Sequence, residues 1–152
     1  MNDFEKGAVS LKMDKWDERF LSLAKFIAQW SKDPSTKTGA VIIDKNRRIV
    51  SVGYNGFAKG VNDFSERLED RDIKYKMIVH CELNAILFAK GSLEGCTLYT
   101  WPLMSCSPCA ATVIQTGIKK CVAPKSDNIR WYNDFELSKK MFEESGVELI
   151  LW

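Results

Sequence analysis

Histidine is almost missing from this chain: His80 is the only one in 152 residues. Any chemistry that needs an imidazole must therefore use that position. An excess of charge of one sign is missing too. Twenty-two Lys and Arg against 20 Asp and Glu leave a net charge of +2. That does not suggest the concentrated basic face of a protein that wraps a nucleic-acid polymer, whereas a small anionic ligand needs only a few local cations. No apolar run approaches membrane-spanning length, and Met1-Asn2-Asp3-Phe4-Glu5-Lys6 lacks the basic-then-apolar pattern of a signal peptide. A soluble, cytoplasmic protein with no membrane partner is expected. Cysteines number five, an odd count, and two of them sit in Cys106-Ser107-Pro108-Cys109. In a reducing compartment this reads as metal binding or redox chemistry rather than a disulfide framework.

The length suits a single domain over residues 1–152, with 1–13 a polar, flexible arm. From Asp14 onward, Trp16, Phe20, Leu23, Ile27 and Trp30 recur at spacings of four and three, which lays one apolar stripe on a helix. Asp33-Pro34-Ser35 stops it. Residues 39–43 and 49–54 are short runs rich in β-branched side chains, separated by the polar turn 44–48, and read as an antiparallel hairpin. Asn55-Gly56 and Gly60 mark a loop. Residues 61–76 are charge-rich and read as a solvated excursion with a short helix. A second helix spans residues 80–90 and stops at Gly91. Then come strand, helix, strand, helix and strand over 96–100, 107–116, 120–123, 135–145 and 147–151. Strands alternating with three-turn helices imply parallel crossovers with helices on both faces of one sheet. The expected fold is α/β: a three-layer α/β/α sandwich around a five-stranded mixed sheet, its first two strands a hairpin and its last three parallel.

Two short stretches carry the chemistry. His80-Cys81-Glu82 opens one predicted helix and Cys106-Ser107-Pro108-Cys109 opens another. Alone, a His-x-Glu is a common accident, and a Cys-x-x-Cys can be a redox dithiol or half of a four-cysteine structural site. Together they fit zinc, which prefers nitrogen and sulfur ligands and, in catalytic sites, takes three from the protein and leaves the fourth position to water. Cys106 and Cys109, three apart, fall on one helix face. The positive ends of two helix dipoles favour thiolate over thiol. In a helix interior His80 and Glu82 would point to nearly opposite sides, but at a first turn both can approach one ion. Glu82 then hydrogen-bonds the zinc-bound water rather than the metal and moves its proton to substrate. A closed structural site lacks a fourth ligand, because Cys81 adjoins His80 while Cys96 and Cys121 open strands, where small buried hydrophobes are expected.

His-x-Glu followed by Cys-x-x-Cys is the signature of zinc nucleobase deaminases. The resemblance is wider than the signature. Across residues 16–151 the chain resembles the deoxycytidylate (dCMP) deaminases of the cytidine/deoxycytidylate zinc deaminase family. The matching segments run from Lys32 through Asp33-Pro34-Ser35-Thr36-Lys37-Thr38 to Ile42, through Gly53-Tyr54-Asn55-Gly56-Phe57, and through Glu66-Arg67 with Lys74-Tyr75. They continue in Val79-His80-Cys81-Glu82-Leu83-Asn84-Ala85-Ile86 and in Cys106-Ser107-Pro108-Cys109-Ala110 with Ile114-Gln115-Thr116-Gly117-Ile118.

The resemblance implies a cytidine deaminase-like fold and hydrolysis of dCMP to dUMP and ammonia, within pyrimidine nucleotide biosynthesis. Zinc hydroxide would attack C4 of the cytosine, while Glu82 protonates N3 and then shuttles a proton to the leaving amine. It implies that the backbone N–H of Cys81 holds the pyrimidine O2, that a carbonyl at Met104 or Ser105 accepts from the amino group, and that Asn55 contacts the sugar 3′-hydroxyl. The loop Ser35-Thr36-Lys37 is assigned to the 5′-phosphate, the alternative for Lys37 being a plain surface lysine. Regulation by dCTP and dTTP through Tyr54, Asn55, Gly56, Phe57 and Lys59 is implied, as is a homohexamer, with Trp131, Tyr132 and Trp152 among the candidate contacts. Some relatives carry a second zinc before the catalytic histidine. Residues 61–79 here contain no Cys or His, so one zinc per subunit is expected. The chain departs from the family pattern in three places: Ser105 stands where proline is usual before the first zinc cysteine, Cys81 stands where alanine is usual between the histidine and the glutamate, and Ala58-Lys59 stands where Pro-Arg is common. The competing readings are a related zinc deaminase acting on cytidine, a nucleoside triphosphate or RNA adenosine, and a non-catalytic nucleotide-binding module. Glu82 argues against the last, since a structural zinc has no use for an unliganded carboxylate.

Overall fold

Side chains that alternate between two faces build the centre of the molecule. The computed structural model describes residues 9–10 and 12–152. Its elements run β1 (Val9–Ser10), α1 (Lys15–Ala28), β2 (Gly39–Ile43), β3 (Ile49–Tyr54), β4 (Gly56–Phe57), α2 (Ser65–Glu69), α3 (Arg71–Met77), β5 (Ile78–Val79) and α4 (Cys81–Phe88). They continue with β6 (Thr97–Trp101), α5 (Ser107–Gln115), β7 (Lys120–Ala123), a 3-10 turn (Ile129–Trp131), α6 (Tyr132–Ser145) and β8 (Glu148–Leu151). β2 is buried along its whole length. Ala40 and Ile42 enter one core and Val41 and Ile43 the other, as the period of two in a strand requires.

The main sheet has the order β1-β8-β7-β6-β2-β3. β2 and β3 form the expected antiparallel hairpin, and β6, β7 and β8 run parallel. β2 joins the two halves by pairing antiparallel with β6. The five-stranded mixed sheet expected from the sequence is thus present, and β1 adds a two-residue parallel edge beside β8. Residues 1–8 and 11 of the expected arm lie outside the described residues. A second, small ladder pairs β4 with β5, in stretches that carry no strand pattern because each is two residues long.

One helix covers one face. Phe20, Leu21 and Ala24 of α1 pack on Val41, Ile43, Tyr99, Val122 and Ile150. A capping box starts α1, with Asp14 accepting from Asp17 N at 2.8 Å and Asp17 from Asp14 N at 3.2 Å. The buried Asp17 carboxylate also accepts from Tyr99 Oη at 2.8 Å and Lys120 Nζ at 3.0 Å, which pins the helix to β6 and β7. The expected apolar stripe stops at Ile27. The helix ends at Ala28, the chain tightens into turn bonds over 29–31, and Trp30 is left 53% exposed. The other face is covered by α4, α5 and α6, which bring Ala85, Ala110, Val113, Phe135 and Phe142 onto Ala40, Ile42, Leu98, Leu149 and Leu151. No helix among the described residues is long and apolar enough to cross a membrane.

Two glycines set how closely helices approach the sheet. Gly39 takes the backbone of Ala24 and Ala28 where a Cβ would stand. A Cβ on Gly53 would lie 2.5 Å from Ala85 N and 2.6 Å from Cys81 O, both backbone atoms of α4. The first turn of α4 therefore rests directly on β3. Gly53→Ala is expected to destabilise the fold by about 1–3 kcal/mol, because backbone cannot yield as a side-chain tip can. Gly56→Ala, with open space around its Cβ, should stay within about 0.5 kcal/mol. Urea denaturation of the two variants checks this.

Candidate active site

The ends of β6 and β3 and the start of β2 share one sheet edge, since Gly39 is level with both Tyr54 and Trp101. Two helices begin there. His80 is the N-cap of α4 (φ −70°, ψ 156°) and Cys106 the N-cap of α5 (φ −64°, ψ 165°), and neither N-cap side chain bonds back to its own helix. The extended conformation of an N-cap swings its side chain past the helix end, so both point into one space. His80 Nδ1 lies 3.2 Å from Cys109 Sγ and 3.5 Å from Cys106 Sγ. The three ligand atoms lie within 4.8 Å of one another and form the one such cluster among the described residues. A tetrahedral zinc needs N···S separations of about 3.6 Å and S···S of about 3.8 Å. One imidazole and two sulfurs at these distances fit zinc, and a bare redox dithiol has no need of His80 against both sulfurs. Cys96 and Cys121 are buried in the core, as their positions at strand starts suggested, and all five cysteines are free thiols.

Glu82 sits on the first turn of α4, 4% exposed. Its Oε1 is 3.9 Å from His80 Nδ1, outside the metal cluster but beside it, and its Oε2 accepts from Ser105 Oγ at 2.9 Å. Burial pushes the Glu82 carboxyl above the usual carboxylate range, with His80 opposing and Cys106 reinforcing. His80 is raised chiefly by its hydrogen bond with Cys106, against the effect of burial. Cys106 is pushed down to about 5, first by the neighbouring Cys109 and then by His80, and Cys109 is held up by Cys106 and by burial. Zinc binding requires both as thiolates and therefore releases protons.

A cavity of about 410 Å³ opens onto this cluster, within the range of small-ligand sites. His80, Cys81, Glu82, Met104 and Cys106 line one end. Ser105 stands behind that wall with its hydroxyl on Glu82. Ser35, Thr36 and Asn55 line the side, while Lys37 is exposed and outside it. The Asp33 carboxylate sets this loop. It accepts from Ser35 N at 2.8 Å and Thr36 N at 3.3 Å, from Asn55 Nδ2 at 3.3 Å and from the buried Lys74 Nζ at 3.1 Å. The tight turn that results carries Lys37 outward. Asn55 is 4% exposed; its Nδ2 also donates to Thr36 O and its Oδ1 accepts from Thr38 N, each at 2.9 Å. Tyr54, Gly56, Phe57 and Lys59 lie off the cavity wall. Tyr54 packs edge-on against Trp30, and Lys59 lies over the Phe88 ring.

The cations that do face the cavity are Lys74 and Arg130. Arg130 Nη2 donates to Tyr75 Oη at 2.6 Å. Trp131, a candidate surface contact in the sequence, lines the cavity between Tyr75 and Phe135. Asp134 accepts from Ser107 N at 2.8 Å and Ser107 Oγ at 2.5 Å, which ties α6 to the first residue of α5. Apart from Trp131, the sequence assigns none of these residues a role. Lys74-Tyr75 does fall in a matching segment, but Lys74 sits in a run of charges where nothing marks which one turns inward. Arg130 and Asp134 carry no sequence signal.

An N/S metal trio at a sheet edge, with a buried carboxylate held beside it, defines a zinc hydrolase of the deaminase type. Comparison with known proteins gives the family. The family model for the cytidine and deoxycytidylate deaminase zinc-binding region matches residues 14–125. An uncharacterized deaminase in the luxG 3′ region of Aliivibrio fischeri is 46% identical over 140 residues, which is 90% of this chain and 93% of that one. The deoxycytidylate deaminase of Mus musculus is 35% identical over 139 residues, covering 88% of this chain and 77% of that protein. The crystal structure of dCMP deaminase from the cyanophage S-TIM5 in complex with dCMP and dUMP shares the fold, with a TM-score of 0.73 and 21% identity over 93% of this chain and 100% of that one. The chain belongs to the cytidine and deoxycytidylate deaminase family.

Metal analysis of the purified protein should give one zinc per chain, and two tightly bound zincs would contradict the site described. Cys109→Ser should weaken zinc binding by more than the roughly 10- to 100-fold that follows loss of an outer-shell partner, as read by competition with a chelator.

Proposed function

We propose that this protein is a deoxycytidylate deaminase that hydrolyses dCMP to dUMP and ammonia. The observation that carries the proposal is that one cavity joins the metal cluster to two cations. His80, Cys106 and Glu82 line it, Cys109 completes the metal trio, and Lys74 and Arg130 line it too. A base attached to a phosphorylated sugar uses both groups, whereas a free nucleoside uses only the first. Relatives named deoxycytidylate deaminase support the choice, among them the mouse protein.

Zinc bound by His80, Cys106 and Cys109 supplies Lewis-acid activation of the hydrolytic water. The protein's own groups do the rest. Glu82 takes the proton of the attacking water on Oε1, delivers it to the pyrimidine N3, and then carries a second proton to the amino group as the C4–N bond breaks and ammonia leaves. The N–H of Cys81, at the first helical position and without an intrahelical acceptor, donates to the pyrimidine O2. The carbonyl of Met104 or Ser105 accepts from the amino group. Asn55 Oδ1 accepts from Thr38 N and keeps a second lone pair for the sugar 3′-hydroxyl. Ser35 and Thr36, with Lys37 next to them, face the 5′-phosphate from one side, and Arg130 reaches it from the other.

The same reading extends to regulation and assembly. dCTP and dTTP act through Tyr54, Asn55, Gly56, Phe57 and Lys59 in a homohexamer, as the family resemblance implies. An exposed aromatic chain beside this loop supports it: Phe26, Trp30 and Tyr54 are 60%, 53% and 41% exposed and pack edge to face. Tyr132 and Trp152 are exposed as well. Free thiols at all five cysteines fit a cytoplasmic setting.

Ammonia release from dCMP, CMP, dCTP and cytidine, with and without dCTP and dTTP as effectors, tests the proposal. dCMP should be turned over fastest, and equal or better activity on cytidine would overturn the phosphate assignment. Arg130→Ala should raise KM for dCMP about 10- to 100-fold, the weight of a hydrogen bond to a charged group, and leave the rate on cytidine unchanged. Glu82→Ala should keep zinc and fold while losing about 10²- to 10⁴-fold in kcat. Because burial raises the Glu82 pKa and the ionised form does the work, wild-type kcat/KM should fall as pH drops through a value above the usual carboxylate range.

A further inference from the structure

The reaction proposed above needs one oxygen of Glu82 at the reacting atoms, and a carboxylate is a two-fold rotor that presents either oxygen or neither. A buried carboxylate offers about four lone-pair sites, and those not used in chemistry need donors. Here the two oxygens are treated differently. Oε1 stands 3.9 Å from His80 Nδ1, on the metal side. Oε2 accepts from Ser105 Oγ at 2.9 Å. Ser105 and Glu82 are both 4% exposed, so bulk water does not compete for that bond. The Ser105 hydroxyl has one hydrogen, and Glu82 is its acceptor. Among the hydrogen bonds of the described residues, Ser105 Oγ is the side-chain donor to Glu82.

We propose that Ser105 is a positioning residue that clamps Glu82 through Oε2, so that the carboxylate holds one rotamer and offers Oε1 to the metal side. The placement in the fold fits the role. Ser105 directly precedes the metal ligand Cys106, the N-cap of α5, while Glu82 is two residues beyond the metal ligand His80, the N-cap of α4. The bond therefore joins the two helix starts a second time, through the proton carrier rather than through the metal. Thr100 Oγ1 donates to Leu103 O at 2.7 Å and fixes the approach to Ser105 from β6. The Ser105 hydroxyl acts through Glu82 and not on substrate, and Ser105→Ala keeps the backbone carbonyl, so loss of the hydroxyl should appear in kcat and not in KM.

The test uses zinc-loaded protein and two readouts. In crystals of the wild type, Glu82 should show a single rotamer with Oε2 on Ser105 Oγ. In Ser105→Ala, which only removes the hydroxyl, the carboxylate should occupy more than one orientation at full zinc occupancy. An unchanged single Glu82 rotamer in Ser105→Ala would sink the proposal. In solution, Ser105→Ala should lower kcat for dCMP about 10- to 100-fold with KM little changed, and it should add nothing when introduced into Glu82→Ala. A loss that tracks zinc content, a change in KM alone, or an undiminished effect in the Glu82→Ala background would each overturn it. The proposal rests on the deaminase reading, but the two fail separately. A wild type inactive on dCMP refutes the substrate, while the crystal comparison still decides the role of Ser105.

Discussion

His80 Nδ1 and Cys109 Sγ lie 3.2 Å apart although 29 residues separate them in sequence, and much of the fold serves that contact. α4 must begin against the sheet, which Gly53 permits by having no Cβ between β3 and the backbone of Ala85 and Cys81. α5 must begin at the same height. β6 delivers it by running antiparallel to β2, so that Trp101 is level with Gly39 and with the end of β3. Asn84 Nδ2 donates to Tyr54 O at 2.7 Å and locks the first turn of α4 to the last residue of β3. Asp134 does the matching work for α5 by accepting from both donors of Ser107, a negative group at the positive end of that helix. Each tie acts within one turn of a metal ligand, where a small displacement costs the most.

A second constraint shapes the cavity wall. The Asp33 carboxylate accepts four hydrogen bonds, three on Oδ1 from two backbone amides and the Lys74 ammonium and one on Oδ2 from the Asn55 amide. Its partner Lys74 is buried with it, at 7% and 5% side-chain exposure. A buried pair of this kind gains little over well-packed apolar residues, because desolvation offsets most of the attraction. What it provides here is geometry. It joins the loop after α1 to α3 and, through Asn55, to the end of β3, three segments that share no sheet ladder. Removing one member would leave its partner charged and buried, so the network either stands complete or fails as a unit.

The sequence made the sheet and the metal trio legible for physical reasons, and it failed elsewhere for physical reasons too. Residues 39–43 show a buried strand because a short, continuous apolar run rich in β-branched side chains and followed by a polar turn suits a strand covered on both faces. His80 and Cys106 were found because chemistry restricts metal ligands to few residue types, and placing them at helix starts needed only Gly91, Gly117 and the apolar runs between. β1, β4 and β5 are two residues each, too short for any period to appear. Trp30 continues the helical spacing but lies beyond the point where the helix ends, since chain reversal before Asp33 overrides the stripe. Lys74 and Arg130 stayed hidden for another reason. Which lysine in a charged run turns inward is decided by Asp33, 41 residues away, and no local pattern carries that information. Ser105 looked like a mere departure from the family pattern, because its hydroxyl acquires meaning only once Glu82 is brought beside it.

Charge bookkeeping along the cavity explains why the family's monophosphate substrates suit it. At the metal end, two thiolates and one zinc ion sum to zero, so Glu82 is the unbalanced charge there and repels an anion. Lys74, though cationic, is matched by Asp33 at 3.1 Å and adds a donor but no net charge. Asp134 spends its charge on the amide and hydroxyl of Ser107. Arg130 pairs only with the neutral hydroxyl of Tyr75 and with the rings of Tyr75 and Trp131, and no ion pair to it occurs among the described residues. It is the cavity's unmatched cation among the described residues. An anionic ligand is therefore drawn toward Arg130 and repelled by the ionised Glu82 before any specific contact forms. A ligand of higher negative charge would gain more at Arg130, but its extra phosphates must fit within a cavity of about 410 Å³, so size and not charge sets the upper limit.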